Sequence, residues 1–304
     1  MILVVGGTGT LGSAITRRLL AQERPVRVMT RTPQKAKELQ EAGAEIFQGD
    51  LRDRASLARA CQGAQMVLAA AHSIMGNGSE ASRYVDGQGH KWLIDEAKKA
   101  GVERFVYISI MGAAPESGIQ FFDTKFDVEQ YLHRSGLEYV ILRPSAFMET
   151  HAYMMIGQPI LESGKVMLFG KGENPRNFVA ADDVARFVLT AFDDPRTTSQ
   201  VIPVGGPENL TNIQVVALYE EIAGHKAQVS HIPLPMMRVM APLLRPFKPG
   251  LSQVMQVSLH DDTADCTFDM SEVLDQYPMK LTRLEEWARE HLPGEVGRMA
   301  VTTA

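Results

Sequence analysis

The sequence predicts an α/β fold built on a doubly wound parallel sheet, and three observations carry that prediction. An apolar run at residues 1–5 enters a glycine-rich turn, Gly6-Gly7-Thr8-Gly9-Thr10-Leu11-Gly12, which opens a helical pattern. Strand-like runs then alternate with helix-like ones until Pro144, six strands in all, and such alternation implies crossover helices between parallel neighbours. The balance of the 304 residues, 45% hydrophobic and 22% charged, is that of an ordinary globular chain and excludes disorder.

The opening turn is the most informative element. Glycine has no Cβ, so the backbone can turn at positive φ and approach a phosphate closely. The helix that starts near Thr10 presents N–H groups without intrahelical partners at the positive end of its dipole, which suits a pyrophosphate. Gly7-x-Gly9-x-x-Gly12 matches the dinucleotide fingerprint, and Gly6-x-x-Gly9-x-x-Gly12 matches the variant of the short-chain dehydrogenases; Gly9 and Gly12 serve both. A strand before the turn and the stripe Ala14, Ile15, Leu19, Leu20 after it supply the Rossmann context.

The second strand, Val26–Thr30, indicates which dinucleotide. About 20 residues past the motif, where an NAD site places Asp or Glu for the ribose 2′-hydroxyl, stands Arg31. A guanidinium suits a 2′-phosphate, and Lys35 adds a second positive charge, so NADP(H) is expected in preference to NAD(H).

The remaining elements follow in order. Ala44–Gln48 forms a strand closing at Gly49-Asp50, a short helix starts from Asp53, and Met66–Ala71 is the next apolar run. Val85–Ala100 is helical in pattern, and Val102–Ile110 is rich in β-branched and aromatic residues, a strong strand. A helix covers Phe121–Arg134, Gly136 stops it, and Leu137–Leu142 returns to the sheet before Arg143-Pro144. Beyond Pro144 the regularity lapses: Gly157-Gln158-Pro159, a hairpin candidate at 165–172, and a helix over Asp182–Phe192, before Val201–Val204 adds a last strand. Thr211-x-x-Gln214 and Thr282-x-x-Glu285 read as capping boxes. Residues 1–150, with 180–206 returning to them, are expected to form the NADP-binding domain. Residues 151–179 and 207–292 form a smaller interleaved C-terminal substrate lobe, and 293–304 a flexible tail.

Composition excludes several function classes. A net charge of −5 opposes general affinity for nucleic acid or an anionic surface, while leaving room for local basic patches. Cys61 and Cys266 lie far apart and in no metal spacing, which fits a reducing compartment. There is no run of the ~18 apolar residues a membrane helix needs, and no signal-like N-terminus, so the expected location is cytoplasmic. His260, Asp261, Asp262 and Asp265 crowd one loop without a recognised ligand spacing, and no metal is assigned. The segment 233–249, apolar, Met-rich and punctuated by prolines and bases, reads as a lid over an apolar substrate, as a membrane-facing patch, or as a plain core helix and loop.

Taken together, GGTGTLG, RTPQKA, GVERFVYIS, Lys125, SGLEYVILRPSAFME and NFVAADDVARFVL resemble an atypical short-chain dehydrogenase/reductase of the NmrA-like kind, over most of residues 1–195. The resemblance implies that Gly6, Gly9, Thr10 and Leu11 hold the pyrophosphate and Arg31 with Lys35 the 2′-phosphate. It assigns Asp50 and Leu51 to the adenine edge and Ala69, Ala70 and Ala71 to the adenosine side. Ser109 would stand near the nicotinamide, Lys125 would bond its ribose, and Pro144 to Phe147 would cover its amide. For Asp50 a plain turn role is an equal reading.

One position departs from the superfamily. Many members carry a Tyr four residues before the Lys, and here that residue is Phe121. Residues 121 and 125 share a helix face, but a phenyl ring donates no proton. A reductase without that acid needs Lys125, Ser109, or one of Tyr84, His72, His151 and Tyr153, or else an acceptor such as a quinone whose anion takes its proton from water. The expected function is NADPH-dependent hydride transfer to a small, largely apolar carbonyl, enone or quinone, by a monomer or homodimer. The rival is a non-catalytic NADP(H)-binding sensor, regulator or assembly factor.

Overall fold

The computed structural model describes residues 1–291; the expected tail at 293–304 lies outside the described residues. In chain order the elements are β1 (Ile2–Val5), α1 (Thr10–Ala21), β2 (Val26–Thr30), α2 (Lys37–Glu41), β3 (Glu45–Gln48), α3 (Arg54–Cys61), β4 (Met66–Ala69), α4 (His90–Lys99), β5 (Arg104–Ile108), α5 (Gln120–His133) and β6 (Glu138–Pro144). After them come β7 (Ala146–Phe147), α6 (Gln158–Ser163), β8 (Lys165–Phe169), β9 (Arg176–Val179), α7 (Ala181–Asp193), β10 (Gln200–Val204), β11 (Asn209–Leu210) and α8 (Asn212–Ala223). The chain closes through β12 (Gln228–Ile232), α9 (Leu234–Leu244), α10 (Pro249–Asp261), α11 (Ser271–Gln276) and α12 (Leu284–Glu290).

Two compact units result. The first holds Met1–Arg143 and Val184–Pro203, the second Pro144–Asp183 and the described residues from Val204 onward.

The first unit carries the seven-stranded sheet, ordered β3-β2-β1-β4-β5-β6-β10, with every pair from β3 through β6 running parallel. Strand order reverses between β1 and β4, whose registers align Val5 with Ala69. In open α/β sheets that switch point, at the carboxyl ends of the strands, is where ligands bind. The near-continuous apolar strands, Leu3, Val67, Phe105 and Tyr107 among them, are buried with Leu93, Ile94 and Leu132 of the covering helices in one core, as a sheet covered on both faces requires. Buried Arg104 opens β5 and donates to the carbonyls of Ala191, Phe192 and Asp194 at 3.0, 3.2 and 3.3 Å and to Glu138 and Thr198. It thereby satisfies carbonyls at the end of α7 that no further helical turn can reach.

The second unit has its own core, where Tyr153 meets Trp287 edge to face and Tyr219 at a tilt, with Ile156, Phe178 and Val215 buried in the same cluster. Two sequence expectations change here. The 165–172 segment is no hairpin: β8 pairs in parallel with β12, Lys165 opposite Gln228, and Asp262 accepts the N–H groups of Lys171 and Gly172 in the turn. Thr211 and Gln214 do form the reciprocal capping box of α8, but Thr282 does not cap α12. Its N–H and hydroxyl both donate to Asp183, at 2.8 and 2.9 Å, while Glu208 receives the N–H of Leu284. No helix among the described residues is long and apolar enough to cross a membrane.

Candidate active site

The residues that end β1 to β5 gather at the switch point of the sheet. Gly6 follows β1 at φ +91°, and a Cβ there would lie 2.6 Å from the Ala71 nitrogen. The turn after β1 and the Ala69–Ala71 run after β4 are therefore in direct backbone contact, tied also by Ala70 N–H donating to Val5 O at 2.9 Å. A Cβ on Gly12 would meet the Gly6 oxygen at 2.1 Å, so the turn folds this tightly only with glycine at that place. Gly9 is the N-cap of α1; no side chain caps it and the first turn holds no acid. Gly7, Thr8, Thr10 and Leu11 complete the turn around this terminus, where the Gly9 N–H closes on Gly6 O at 3.1 Å and no side chain among the described residues caps the helix. The turn has the form a dinucleotide pyrophosphate needs.

Arg31 follows β2 and is exposed, its guanidinium donating to Glu80 at 2.6 Å. Lys35 is exposed on the short turn Pro33–Ala36. Asp50 follows β3 and holds Arg52 through both the Arg52 N–H and its guanidinium, at 2.8 Å to the nitrogen and 2.6 Å to Nη2. The Arg52 hydrogen bonds keep its carboxyl below the usual carboxylate range against the opposing effect of burial. Asp50 is thus a turn residue with its oxygens engaged, and Leu51 is a core residue, 5% exposed.

The chemistry-bearing cluster lies around β5 and α5. Lys125 is 3% exposed; its Nζ donates to Ile108 O at 3.3 Å and stands 3.5 Å from Asp86 Oδ1. The ammonium lies 5.1 Å from the Tyr107 ring centre and 5.6 Å from that of Phe121, in reach of both aromatic faces. Burial lowers the Lys125 pKa, and the charges of Asp86 and Glu129 oppose that shift. Ser109, next after Ile108, is 6% exposed; its N–H closes the strand on Leu142 O, but its hydroxyl has no partner among the described residues. A backbone-satisfied hydroxyl is the usual state at a strand end, so this one is set apart.

Asp86 escaped the sequence reading. It sits fully buried in the π-helical turn Arg83–Gly89, with Oδ2 accepting the Ser73 N–H at 2.9 Å and Oδ1 facing Lys125 without a hydrogen bond of its own. A Cβ on Gly89 would lie 2.8 Å from Leu51 Cβ, so glycine allows the π turn to sit against the core at that depth. Next to it His90 turns Nδ1 to Val85 O at 3.0 Å and packs edge-on to Tyr107. Burial, with Lys125 nearby, pushes His90 down to about 4, so the ring is neutral at physiological pH. Burial likewise raises Tyr107 well above the usual phenol value.

Of the other candidates, His72 borders this cluster: it precedes Ser73, whose N–H bonds Asp86, and the charges of Asp86 and Lys125 both act on it. Tyr84 is exposed beneath the Arg83 guanidinium at 4.7 Å. Tyr153 is a core ring of the second unit, and His151 is half-buried with Nδ1 at 3.3 Å from Phe147 O. Pro144 ends β6, while Phe147 belongs to β7, paired with Val179 of β9. Asp261 is paired with Arg176 at 3.1 Å and Asp265 accepts from Thr267. Burial pushes the thiol of Cys61 up to about 12 and that of Cys266 to about 11, which leaves neither a nucleophile near neutral pH.

Residues 1–288 match the model of the NmrA-like family. The chain belongs to that family. Among NmrA-like relatives, a photosystem II assembly factor, Ycf39, of Synechocystis sp. is 31% identical over 300 residues, covering 95% of this chain and 90% of the relative. An NAD(P)H azoreductase of Xenophilus azovorans is 32% identical over 234 residues, covering 77% of this chain and 78% of the relative. Among solved structures, that of the NADPH-dependent quinone oxidoreductase QOR2 of Escherichia coli, complexed with NADPH, aligns with a TM-score of 0.75 at 24% identity, covering 95% of this chain and 99% of that one. The last likeness is one of fold.

Proposed function

We propose that this NmrA-like protein is an NADPH-dependent reductase acting on a small, largely apolar acceptor, quinone-like in preference to a simple aldehyde. The observation that carries the reading is buried Lys125, whose Nζ donates to Ile108 O at the end of β5, one residue before Ser109 and its buried hydroxyl without a partner among the described residues. A desolvated hydroxyl with no partner of its own is the kind of donor a developing oxyanion requires, and Lys125 is left to hold the cofactor. The NAD(P)H azoreductase among the relatives agrees with the class of chemistry.

In this reading the turn Gly6–Gly12 holds the pyrophosphate by its N–H groups, and Arg31 with Lys35 holds the 2′-phosphate. Ala69, Ala70 and Ala71 line the adenosine side. Asp50 and Leu51 meet the adenine edge through main-chain groups, because the carboxylate of the one is taken by Arg52 and the side chain of the other is buried. Bound NADPH supplies the hydride. Lys125 bonds the nicotinamide ribose, Asp86 keeps its proton in place, and Ser109 donates to the acceptor oxygen. Loss of the usual phenol forgoes a general acid worth ~10²- to 10⁴-fold, which a delocalised quinone anion does not need.

A second reading rests on Phe121 together with the full-length similarity to Ycf39: a protein that binds NADP(H) as a regulatory or assembly factor without turnover. Following the reduced-nicotinamide absorbance while adding quinones, azo compounds, enones and aldehydes separates the two. Acceptor-dependent oxidation, lost in Lys125→Ala, is the expected result. Tight NADPH binding with no turnover on any acceptor overturns it in favour of the second reading.

A further inference from the structure

In the second unit α9 and α10 pack on each other through Met237, Ala241 and Met255. A separate stripe of α9 faces solvent: Met236, Val239, Met240 and Leu243 recur at helical spacing, and Phe247 continues them into the tip between the two helices. Exposure is greatest at that tip, 64% at Leu243 and 82% at Phe247, against 48% at Met236 and 38% at Met240. Scattered exposed apolar residues need no explanation, but a contiguous row does.

The charges of the same span are one-sided. From Ile222 to His260 there is no Asp or Glu, in a chain with 36 acids and 31 Lys and Arg. Arg238, Arg245 and Lys248 are exposed, and none has a carboxylate partner among the described residues. Phe247 thus stands between two unpaired cations, Arg245 and Lys248. An apolar row with uncompensated bases is the composition of an interfacial helix on an anionic bilayer. A second copy of this chain fits less well, because two-fold packing of the row brings the same cations face to face. A lipid surface also requires no shape complementary to side chains that stand this far out, and methionine adapts to such a contact.

We propose that the tip of the α9–α10 pair and the exposed row of α9 form a docking surface for an anionic membrane. Leu243 and Phe247 enter the headgroup–acyl boundary, and Arg245 and Lys248 meet lipid phosphates.

The test is co-sedimentation of the full-length protein with phosphatidylcholine vesicles and with the same vesicles doped with phosphatidylglycerol. Binding to the doped vesicles only, weakened by salt, is expected. Arg245→Ala with Lys248→Ala should weaken it about tenfold or more, each cation near the surface being worth about fivefold. Leu243→Asp with Phe247→Asp should abolish it while leaving far-ultraviolet dichroism and melting unchanged, since both side chains are exposed. Absence of binding, equal binding to both vesicles, or unaltered binding by the Asp variant overturns the proposal. Self-association that depends on Phe247 without vesicle binding assigns the face to a second copy instead, and binding of polyglutamate in place of vesicles assigns it to an acidic protein; either result also overturns it.

Discussion

At the scale of single residues, the balance of charge inside the first unit decides what Lys125 can do. Burial favours its neutral form and Asp86 favours its charged form, so its pKa reports the pair. If Lys125 must be protonated for turnover, activity falls as pH rises through a pKa below the ordinary lysine value. Asp86→Asn removes an effect that raises that pKa, so the falling limb of the kcat profile should move to lower pH, whereas a purely structural role for Asp86 would lower kcat without moving the limb. In the proposed function, cofactor choice rests on a second pair. The exposed Arg31–Glu80 bridge is worth ~1 kcal/mol or less, so a 2′-phosphate can displace Glu80 at little cost, but the carboxylate still repels the incoming phosphate. Arg31→Ala should remove most of the preference for NADPH over NADH, and Glu80→Gln should tighten NADPH several-fold without changing NADH, both measurable by fluorescence titration. Equal affinities for the two cofactors in the parent protein would defeat the assignment of Arg31.

At the scale of elements, what could be read from the sequence was what depends on neighbours in the chain. The β1 turn and α1, the aromatic β5, the α5 face shared by Phe121 and Lys125, and the Thr211 capping box all follow from local spacing, and the structure forms each of them. Contacts made at long range were hidden. Thr282 has the spacing of a cap, but Asp183, far upstream, takes its hydroxyl; the 165–172 segment looks like a hairpin, but β12 supplies its partner strand. Asp86 is the instructive miss, because an acid in an amphipathic run reads as solvated until a π turn rotates it inward against Lys125. Glu149 shows a similar hidden environment. Its Oε1 accepts the Ala181 N–H at the start of α7 at 2.9 Å, while Oε2 is buried without a partner. Burial raises its pKa to about 7. The folded state therefore holds a proton that the unfolded chain loses near 4.5, and the stability this supplies is present at acid pH and lost as pH rises through about 7. At most ~3 kcal/mol is at stake. Glu149→Gln keeps the cap without the charge, so it should raise the melting temperature at pH 8 and leave it nearly unchanged at pH 5; the same increment at both pH values would show that the carboxyl does not titrate in this range.

At the scale of the whole molecule, connectivity matters more than any one contact. The backbone leaves the first unit after Arg143, returns at Val184 within α7, and leaves again after Pro203. Arg104, at the start of β5, waits for the carbonyls of residues 191–194 on that returning segment. During synthesis six strands emerge from the ribosome while α7 and β10 are still unmade. In that interval β6 is a bare sheet edge and Arg104 lacks most of its acceptors, the kind of nascent intermediate that pairs with other chains. A polypeptide halted at Arg143 is accordingly an aggregation-prone stub, and the first unit matures only after the whole of Pro144–Asp183, the first segment of the second unit, has already left the tunnel.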